Sequence, residues 1–243
     1  SDGGKFLSTN VAVQQALQMV EEGVDIIDVG GESTRPGATP VSVQAESDRV
    51  LPVIEAVRSF SEVALSCDTS KPEIMQAAAA LGIDLINDVF ALQGEGALQA
   101  GAACNLPICL MHMQGNPETM QKNPNYDNPS KEIISYLATR IKKAIEFNIH
   151  DIIIDPGFGF GKSLDHNFDI LSNLEYFSML DKPILVGFSR KSMIYKALDI
   201  SKNKSLNGTS VLNSIALGKG AKILRVHDVK EAKECVILHK KTK

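Results

Sequence analysis

The chain has 243 residues and a formal net charge of −4, with 44% hydrophobic and 22% charged residues. The negative charge and the lack of a long basic run argue against a general nucleic-acid binder. No apolar run reaches the roughly 18 residues of a membrane-spanning helix, so no membrane span is expected. The length fits one domain covering residues 1–243. The four cysteines show no C-x-x-C spacing, which favours reduced thiols in a cytoplasmic protein.

Short β-rich runs alternate with segments of helical periodicity along the chain. The first helix is predicted at residues 8–22, ending at Gly23. Strands are predicted at residues 24–29, 63–67, 84–86, 107–111, 152–154, 183–186 and 222–226. Further helices are predicted at residues 43–59, 70–81, 95–104, 129–147, between 155 and 183, at 191–198, at 205–219 and after 228. Strict alternation of this kind predicts a parallel sheet.

Local signals refine three of these helices. Pro52 predicts a bend or interruption in the helix at 43–59. Ser70 and Glu73 have the spacing of a capping box, and Asp228 is predicted to cap the last helix. The helix at 129–147 carries an apolar residue at every fourth position: Ile133, Leu137, Ile141 and Ile145.

Seven strands preceded by a helix predict an α/β fold of the TIM (β/α)8-barrel type whose first β-strand is missing from this chain. The opening residues 1–4 then form the loop that follows that strand. In such barrels the chemistry lies at the carboxyl ends of the strands. Those ends are unusually polar here: Asp28, Asp68, Asn87, His112, Asp155, Ser189, Arg190, Lys191, Arg225 and His227.

These polar residues divide into two chemical sets. Asp68, Asn87 and Asp155 can accept hydrogen bonds from the N–H edge of a flat heterocycle. The cations suit a phosphate or pyrophosphate, and they are Arg35, Arg190, Lys191, Arg225 and His227. Plainer interpretations remain open for several residues. Asp68 could orient the turn before Ser70, Arg190 could lie on the surface, and His112 could simply pack near the site. His150, His166 and His239 have no clustered partner and are expected to be structural or solvated.

The stretch DPGFGFGK, residues 155–162, resembles a phosphate cradle but lacks the spacing of one. In a P-loop the second glycine follows the first by five residues, whereas Gly161 follows Gly157 by four, and a dinucleotide fingerprint needs G-x-G-x-x-G. The glycines instead allow backbone to pass close to flat rings. Phe158 could simply pack, and the role of Lys162 stays open.

Seven motifs in order carry a family resemblance. They are DVGGESTRPGA (28–38), DTSKPE (68–73), IND (86–88), MHMQGNPETMQ (111–121), DPGFGFGK (155–162), GFSRKS (187–192) and RVHDV (225–229). The chain closely resembles the bacterial dihydropteroate synthase family of pterin-binding barrels. The resemblance covers essentially the whole chain.

The resemblance implies displacement of pyrophosphate from a dihydropterin by the amine of 4-aminobenzoate, an SN1-like reaction that is the target of sulfonamides. By motif position, Asp68, Asn87, Asp155 and Lys191 would hold the pterin, and Asp28 would lie beneath the reacting centre. Arg225, His227 and Thr34 would hold the pyrophosphate. Residues implied to contact 4-aminobenzoate are Thr34, Arg35, Phe160 and Ser192. Asp2 is a candidate to close over the pyrophosphate.

The resemblance further implies Mg²⁺ as cofactor and a homodimer. The family's metal-binding asparagine belongs to a strand upstream of Ser1, so no metal ligand is assigned in this chain. We expect weak activity from a barrel that lacks that strand, because its absence exposes two sheet edges. Two alternatives are a methyltetrahydrofolate–corrinoid methyltransferase, which would share the pterin-facing residues, and a non-catalytic pterin-binding paralogue.

Overall fold

The computed structural model describes residues 9–35 and 37–242, and strands and helices alternate along them as predicted. The strands are β1 (Ile26–Gly30), β2 (Ala64–Asp68), β3 (Leu85–Asp88), β4 (Ile108–Met111), β5 (Ile152–Asp155), β6 (Leu185–Val186) and β7 (Ile223–Leu224). The α-helices are α1 (Thr9–Glu21), α2 (Val43–Phe60), α3 (Pro72–Ala80), α4 (Ala97–Cys104), α5 (Pro129–Glu146), α6 (Leu164–Ser172), α7 (Ser192–Ala197), α8 (Leu206–Gly218) and α9 (Val229–Lys241). Short 3₁₀ helices cover Leu174–Leu180 and Lys202–Lys204. Of these described helices, none combines the length and apolarity that a membrane crossing requires.

The chain divides into two compact units. The first contains the described residues up to 111 together with 140–152. In it, β1, β2, β3 and β4 pair in parallel in that order, with Asp28 opposite Ser66, and Asp68 opposite Asn87. Its core consists of side chains that are at most 1% exposed: Val50, Ile54, Val57, Leu65, Ile74, Met75, Ile86 and Ile108. Continuous apolar runs of this kind suit parallel strands that are buried on both faces.

The second unit contains residues 112–139 and the described residues from 153 onward. Strand β6 pairs in parallel with β7, and Ile154 of β5 forms a parallel bridge with Ile184. Phe158 and Phe188 are fully buried, and their ring centroids lie 4.4 Å apart. Phe158 is therefore a packing residue, as its sequence context allowed.

Neither predicted cap makes a side-chain capping hydrogen bond, although Asp228 does occupy the N-cap position of α9. The N-cap position of helix α3 is Lys71, whose side chain makes no capping hydrogen bond. The Ser70 hydroxyl donates to the Asp88 carboxylate instead of to the helix start. Asp228 precedes α9, but its carboxylate accepts from Arg190 rather than from the helix. In each case a more distant partner competes successfully for the short polar side chain.

Two helices differ in detail from the sequence expectation. Helix α2 continues through Pro52 without interruption. In α5, Ile133, Leu137 and Ile141 are buried, but Ile145 is 43% exposed and Ala144 is buried in its place. A spacing of four advances about 40° beyond a full turn at each step, so the fourth residue of the series has rotated off the buried face.

All four cysteines are free, and three of them are buried: Cys67, Cys109 and Cys235. The prediction of packed, reduced thiols is confirmed for these three. Burial, with Asp28 and Asp68 nearby, raises the pKa of the Cys67 thiol, so this thiol stays protonated and unreactive.

Candidate active site

The two residues of the first unit that are predicted to hold the pterin, Asp68 and Asn87, lie on adjacent strands. Asp68 ends β2 directly opposite Asn87 in β3, and Asn87 is buried. The Asn87 Nδ2 donates to Asp28 Oδ2 over 3.3 Å. Register partners in parallel strands project to the same side, so these three residues form one polar group.

Gly30 makes room for this polar group. Gly30 pairs with Asp68, and a Cβ built on Gly30 would lie 3.1 Å from the Asp68 Cβ. A larger residue at position 30 would press against the Asp68 side chain. The glycine in the motif therefore has a steric role beside a carboxylate implicated in ligand binding.

An ion-pair cluster, defined as Glu32, Glu46 and Lys71, stabilises the loop that follows β1. The Lys71 Nζ donates to carboxylate oxygens of both Glu32 and Glu46, and Glu46 is only 1% exposed. Burial lowers the pKa of Lys71, but its hydrogen bonds to Glu32 and Glu46 outweigh burial and leave that pKa raised. The Thr69 hydroxyl also donates to Glu46. Sequence reasoning missed this cluster.

The predicted aminobenzoate residues of the same loop are Thr34 and Arg35. Thr34 is half-buried and Arg35 is exposed, with the Arg35 N–H donating to Ser33 Oγ over 3.4 Å. The structure does not bring either of them into a described side-chain contact. Asp2, the candidate in the first loop, lies outside the described residues.

Asp155 ends β5 in the second unit and is buried. Its Oδ1 accepts from the Gly157 N–H over 2.7 Å. Burial raises the pKa of the Asp155 carboxyl, while Lys191, the Gly157 N–H and Arg225 act in the opposite direction. A buried carboxylate among cations is suited to accept N–H donors from a bound heterocycle.

Lys191 lies against the segment that follows Asp155. Its Nζ donates to the Phe158 carbonyl and lies 4.7 Å from the centroid of the Phe160 ring. Burial lowers the pKa of Lys191 to about 8; Asp155 opposes this effect and Arg225 adds to it. The structure thus brings together three residues predicted for the site: Asp155, Phe160 and Lys191.

The predicted pyrophosphate residues follow β7. The Arg225 N–H donates to the Val186 carbonyl over 2.8 Å. His227 is oriented by Ser189, whose Oγ lies 2.7 Å from the imidazole Nδ1 and accepts from the His227 N–H over 3.2 Å. Ser192 begins α7 directly after Lys191. The residues after β6 and β7 thus place Lys191, Ser192, Arg225 and His227 in the second unit.

The Arg190 side chain is half-buried and contacts a carboxylate. Its guanidinium makes a two-pronged contact with Asp228, with Nε 3.0 Å from Oδ2. Its backbone is left-handed, with φ +54°, and its N–H donates to Thr209 Oγ1. Arg190 therefore belongs to the support of the segment that carries Lys191 and Ser192.

Lys162, whose role the motif left open, is buried. Its Nζ lies 3.0 Å from His112 Nδ1 and donates to the Phe160 carbonyl over 2.8 Å. Burial and Lys162 together lower the pKa of His112 to about 2, so its imidazole is neutral. The only sequence signals for this pair are a lysine inside a glycine motif and a histidine at a strand end.

Comparison with known proteins agrees with this chemistry. Residues 1–227 match the family model described as pterin binding enzyme. The chain is 48% identical over 238 residues to dihydropteroate synthase of Escherichia coli (strain K12), which covers 97% of this chain and 84% of the relative. Dihydropteroate synthase of Haemophilus influenzae is 48% identical over 231 residues, covering 94% and 84%.

Solved structures show the same relationship. A Yersinia pestis dihydropteroate synthase in a sulfonamide drug complex has a TM-score of 0.97 and 44% identity, covering 100% of this chain and 89% of that chain. A dihydropteroate synthetase with Product1 has a TM-score of 0.92 and 43% identity, covering 96% and 88%. The fold class is that of these α/β enzymes of TIM-barrel type, as the sequence predicts.

The chain belongs to the pterin-binding enzyme family. Within that family it groups with the dihydropteroate synthases, and its enzymatic activity is that of a dihydropteroate synthase.

Proposed function

We propose that the chain condenses 6-hydroxymethyl-7,8-dihydropterin pyrophosphate with 4-aminobenzoate to give 7,8-dihydropteroate and pyrophosphate by an SN1-like displacement. The observation that carries this proposal is the buried Asp155 carboxylate, on which Lys191 and Arg225 act electrostatically. A carboxylate for N–H donors beside cations for an anion matches both ends of the pterin substrate.

In this mechanism, Asp68, Asn87, Asp155 and Lys191 bind the pterin, and Asp28 lies beneath its reacting carbon. Arg225 and His227, with Thr34, stabilise the charge that develops on the departing pyrophosphate. The pterin ring stabilises the positive charge left at its exocyclic carbon. The amine of 4-aminobenzoate then attacks that carbon and loses a proton. Arg35, Thr34, Phe160 and Ser192 contact 4-aminobenzoate and the sulfonamides that mimic it.

The anion end of the site is tested by Arg225→Ala. Loss of this cation is expected to weaken pyrophosphate binding about 10- to 100-fold at low ionic strength, since charge-assisted hydrogen bonds contribute about 1.5–3 kcal/mol. The difference from the wild type should shrink as salt is added, because ions screen the contact. Calorimetric titration at two salt concentrations measures both effects. Equal affinity for the two proteins at low salt would refute the assignment.

Lys219→Ala is the matched control for that experiment. It also removes one positive charge from the second unit. Lys219 donates hydrogen bonds to Glu175 and to the Ser172 carbonyl and is not among the residues proposed for the site. Its affinity for pyrophosphate should remain within about two-fold of the wild type, since exposed ion pairs contribute little.

Mg²⁺ is proposed as the cofactor because the leaving group is a polyanion whose oxygens suit this ion. Among the described residues there is no group of three or more histidine, cysteine, aspartate or glutamate side chains placed to hold a metal. They do not form a metal site on their own, so we assign no protein ligand and derive no step through the ion. Titration of pyrophosphate with and without Mg²⁺ tests the proposal.

A homodimer is also proposed, supported by exposed apolar side chains on α8 and α9. Val211 is 49% exposed, Ile215 41% and Leu238 67%. Apolar groups grouped in this way are typical of subunit interfaces. Sedimentation of the wild type and of Val211→Glu would test it, with dimer expected for the first and monomer for the second.

A cytoplasmic location is proposed from the four free thiols, because reducing compartments maintain cysteines in that state. Cell fractionation tests it directly.

A further inference from the structure

The glycine loop, defined as residues 157–161, has its backbone held by side chains of the second unit that lie outside the loop. Four consecutive carbonyl groups each accept a hydrogen bond from a different residue. Phe158 O accepts from Lys191, Gly159 O from Gln121 Nε2 over 2.6 Å, Phe160 O from Lys162 Nζ over 2.8 Å, and Gly161 O from the Tyr126 hydroxyl over 2.8 Å. The Gly159 N–H donates to Asn167 Oδ1 over 2.7 Å.

The loop needs these contacts because its three glycines can adopt many backbone conformations. Gly157, Gly159 and Gly161 have φ of +70°, +82° and +60°, a region that glycine enters without a steric penalty. The same freedom makes glycine costly to order. Phe160 therefore lies between two flexible positions, and the orientation of its peptide depends on what holds its carbonyl.

Lys162 is the donor placed at that carbonyl. Lys162 is only 3% exposed, and its amine nitrogen lies within hydrogen-bond distance of three polar atoms. They are Phe160 O at 2.8 Å, His112 Nδ1 at 3.0 Å and His112 O at 3.3 Å. Two of these atoms belong to His112, so one buried amine joins the glycine loop to His112 within the second unit.

We infer that Lys162 is a positioning residue for 4-aminobenzoate: by holding the Phe160 carbonyl it fixes the Phe160 ring at the wall of that substrate's pocket. The inference rests on the proposed function for the contact between Phe160 and 4-aminobenzoate. The ring is 9% exposed by residue and lies against Lys191, so a rotated Phe160 peptide would remove both the wall and its contact with the lysine.

Lys162→Met tests the inference, because methionine keeps most of the buried volume and removes the donors. The KM for 4-aminobenzoate should rise about 10-fold, the effect of roughly one lost hydrogen bond to the loop. The kcat at saturation and the Kd for the pterin substrate should stay within about three-fold. Hydrogen exchange of the peptide covering 157–161 should accelerate in the same variant.

Ser130→Ala is the control for general destabilisation. It removes another hydrogen bond of the second unit, from the Ser130 hydroxyl to Asp169 Oδ2 over 2.7 Å, at a buried residue whose bond involves neither Lys162 nor the glycine loop. Its KM for 4-aminobenzoate should remain unchanged even where its free energy of unfolding falls. If Lys162→Met is recovered unfolded, Lys162→Gln carries the same measurements, with a smaller rise of about three-fold expected from its remaining donors.

The results distinguish a failure of the role inferred for Lys162 from a failure of the proposed contact between Phe160 and 4-aminobenzoate. A KM within two-fold of the wild type, or unchanged exchange of residues 157–161, overturns the role of Lys162. Phe160→Leu judges the underlying contact independently, because an unchanged KM for that variant refutes the assignment of Phe160 to 4-aminobenzoate. A raised KM in Phe160→Leu with a normal KM in Lys162→Met leaves the proposed function standing and removes only the inference.

Discussion

The loop after β1 and the glycine loop after β5 both belong to motifs of the family, but different forces hold them. The first depends on the ion-pair cluster, in which one lysine contacts two glutamates with side chains 25% and 1% exposed. The second depends on hydrogen bonds from separate side chains to consecutive backbone carbonyls.

This difference has a physical consequence. Removing the lysine from the ion-pair cluster leaves a buried carboxylate without its cation, which affects the whole cluster at once. Removing one donor from the glycine loop leaves a single carbonyl unsatisfied while the neighbouring contacts persist. A single substitution should therefore disrupt the whole loop after β1. In the glycine loop, a single substitution should remove one hydrogen bond and leave the others in place.

The strongest perturbation of the glycine loop should come from Asp155→Ala. It removes the contact to the Gly157 N–H and the acceptor proposed for the pterin N–H groups, so pterin affinity should fall about 100-fold or more. Asp155→Asn keeps an oxygen for the Gly157 N–H but loses the charge and replaces the second acceptor oxygen with an NH2 donor, so its affinity should also fall while the loop contact persists. Calorimetry measures both, and wild-type affinity in the alanine variant would refute the pterin assignment.

Lys71→Met should break the ion-pair cluster as a unit. We expect a loss of about 2–4 kcal/mol in the free energy of unfolding, because Glu46 keeps a buried charge. Adding Glu46→Gln should recover part of the loss, whereas Lys219→Met, at a more exposed pair, should cost under about 1 kcal/mol. Urea unfolding of the three proteins decides; equal losses for the two lysine variants would contradict cooperative failure.

A pH profile sharpens the comparison at Lys191. If the protonated lysine binds the pterin substrate, kcat/KM should fall about ten-fold per pH unit above the Lys191 pKa of about 8. Because this folded-state pKa lies below the ordinary 10.5, the unfolded chain binds more protons between those values, and the contribution of Lys191 to stability rises with pH there. Lys191→Arg should shift the loss of activity upward. A flat profile to pH 10 would exclude the protonated form as the active one.

The smallest effect is expected from Tyr126→Phe, which removes one of the hydrogen bonds that hold the glycine loop. Loss of the hydroxyl bond to Gly161 O should lower the free energy of unfolding by about 1 kcal/mol and leave the KM for 4-aminobenzoate within about three-fold. Burial raises the pKa of Tyr126, so the hydroxyl remains a donor across the assay range. Tyr176→Phe, at an exposed ring, is the control. A decrease of more than about 3 kcal/mol in the free energy of unfolding would show that losing one hydrogen bond disrupts the whole glycine loop.

Much of the fold was predictable because it depends on local periodicity. Apolar spacing located the helices and strands, and the order of strands β1 to β4 agrees with the expectation of parallel neighbours. The meeting of Asp68 with Asn87 was also predictable, since Asp68 ends β2 and Asn87 lies near the end of the neighbouring β3. The predicted side-chain caps were not found because these short polar side chains hydrogen-bond to residues distant in sequence. Ser70 contacts Asp88, and Asp228 contacts Arg190.

The sequence by itself determined the alternation of elements, the polar strand ends and, through its motifs, the family. Only the tertiary structure decided which residues support them. Lys71 and Glu32 are 39 positions apart, and Lys162 and His112 are 50 apart, so no local pattern pairs them. Burial then selects those pairs, because a charged or polar group removed from water must find a partner wherever the fold supplies one.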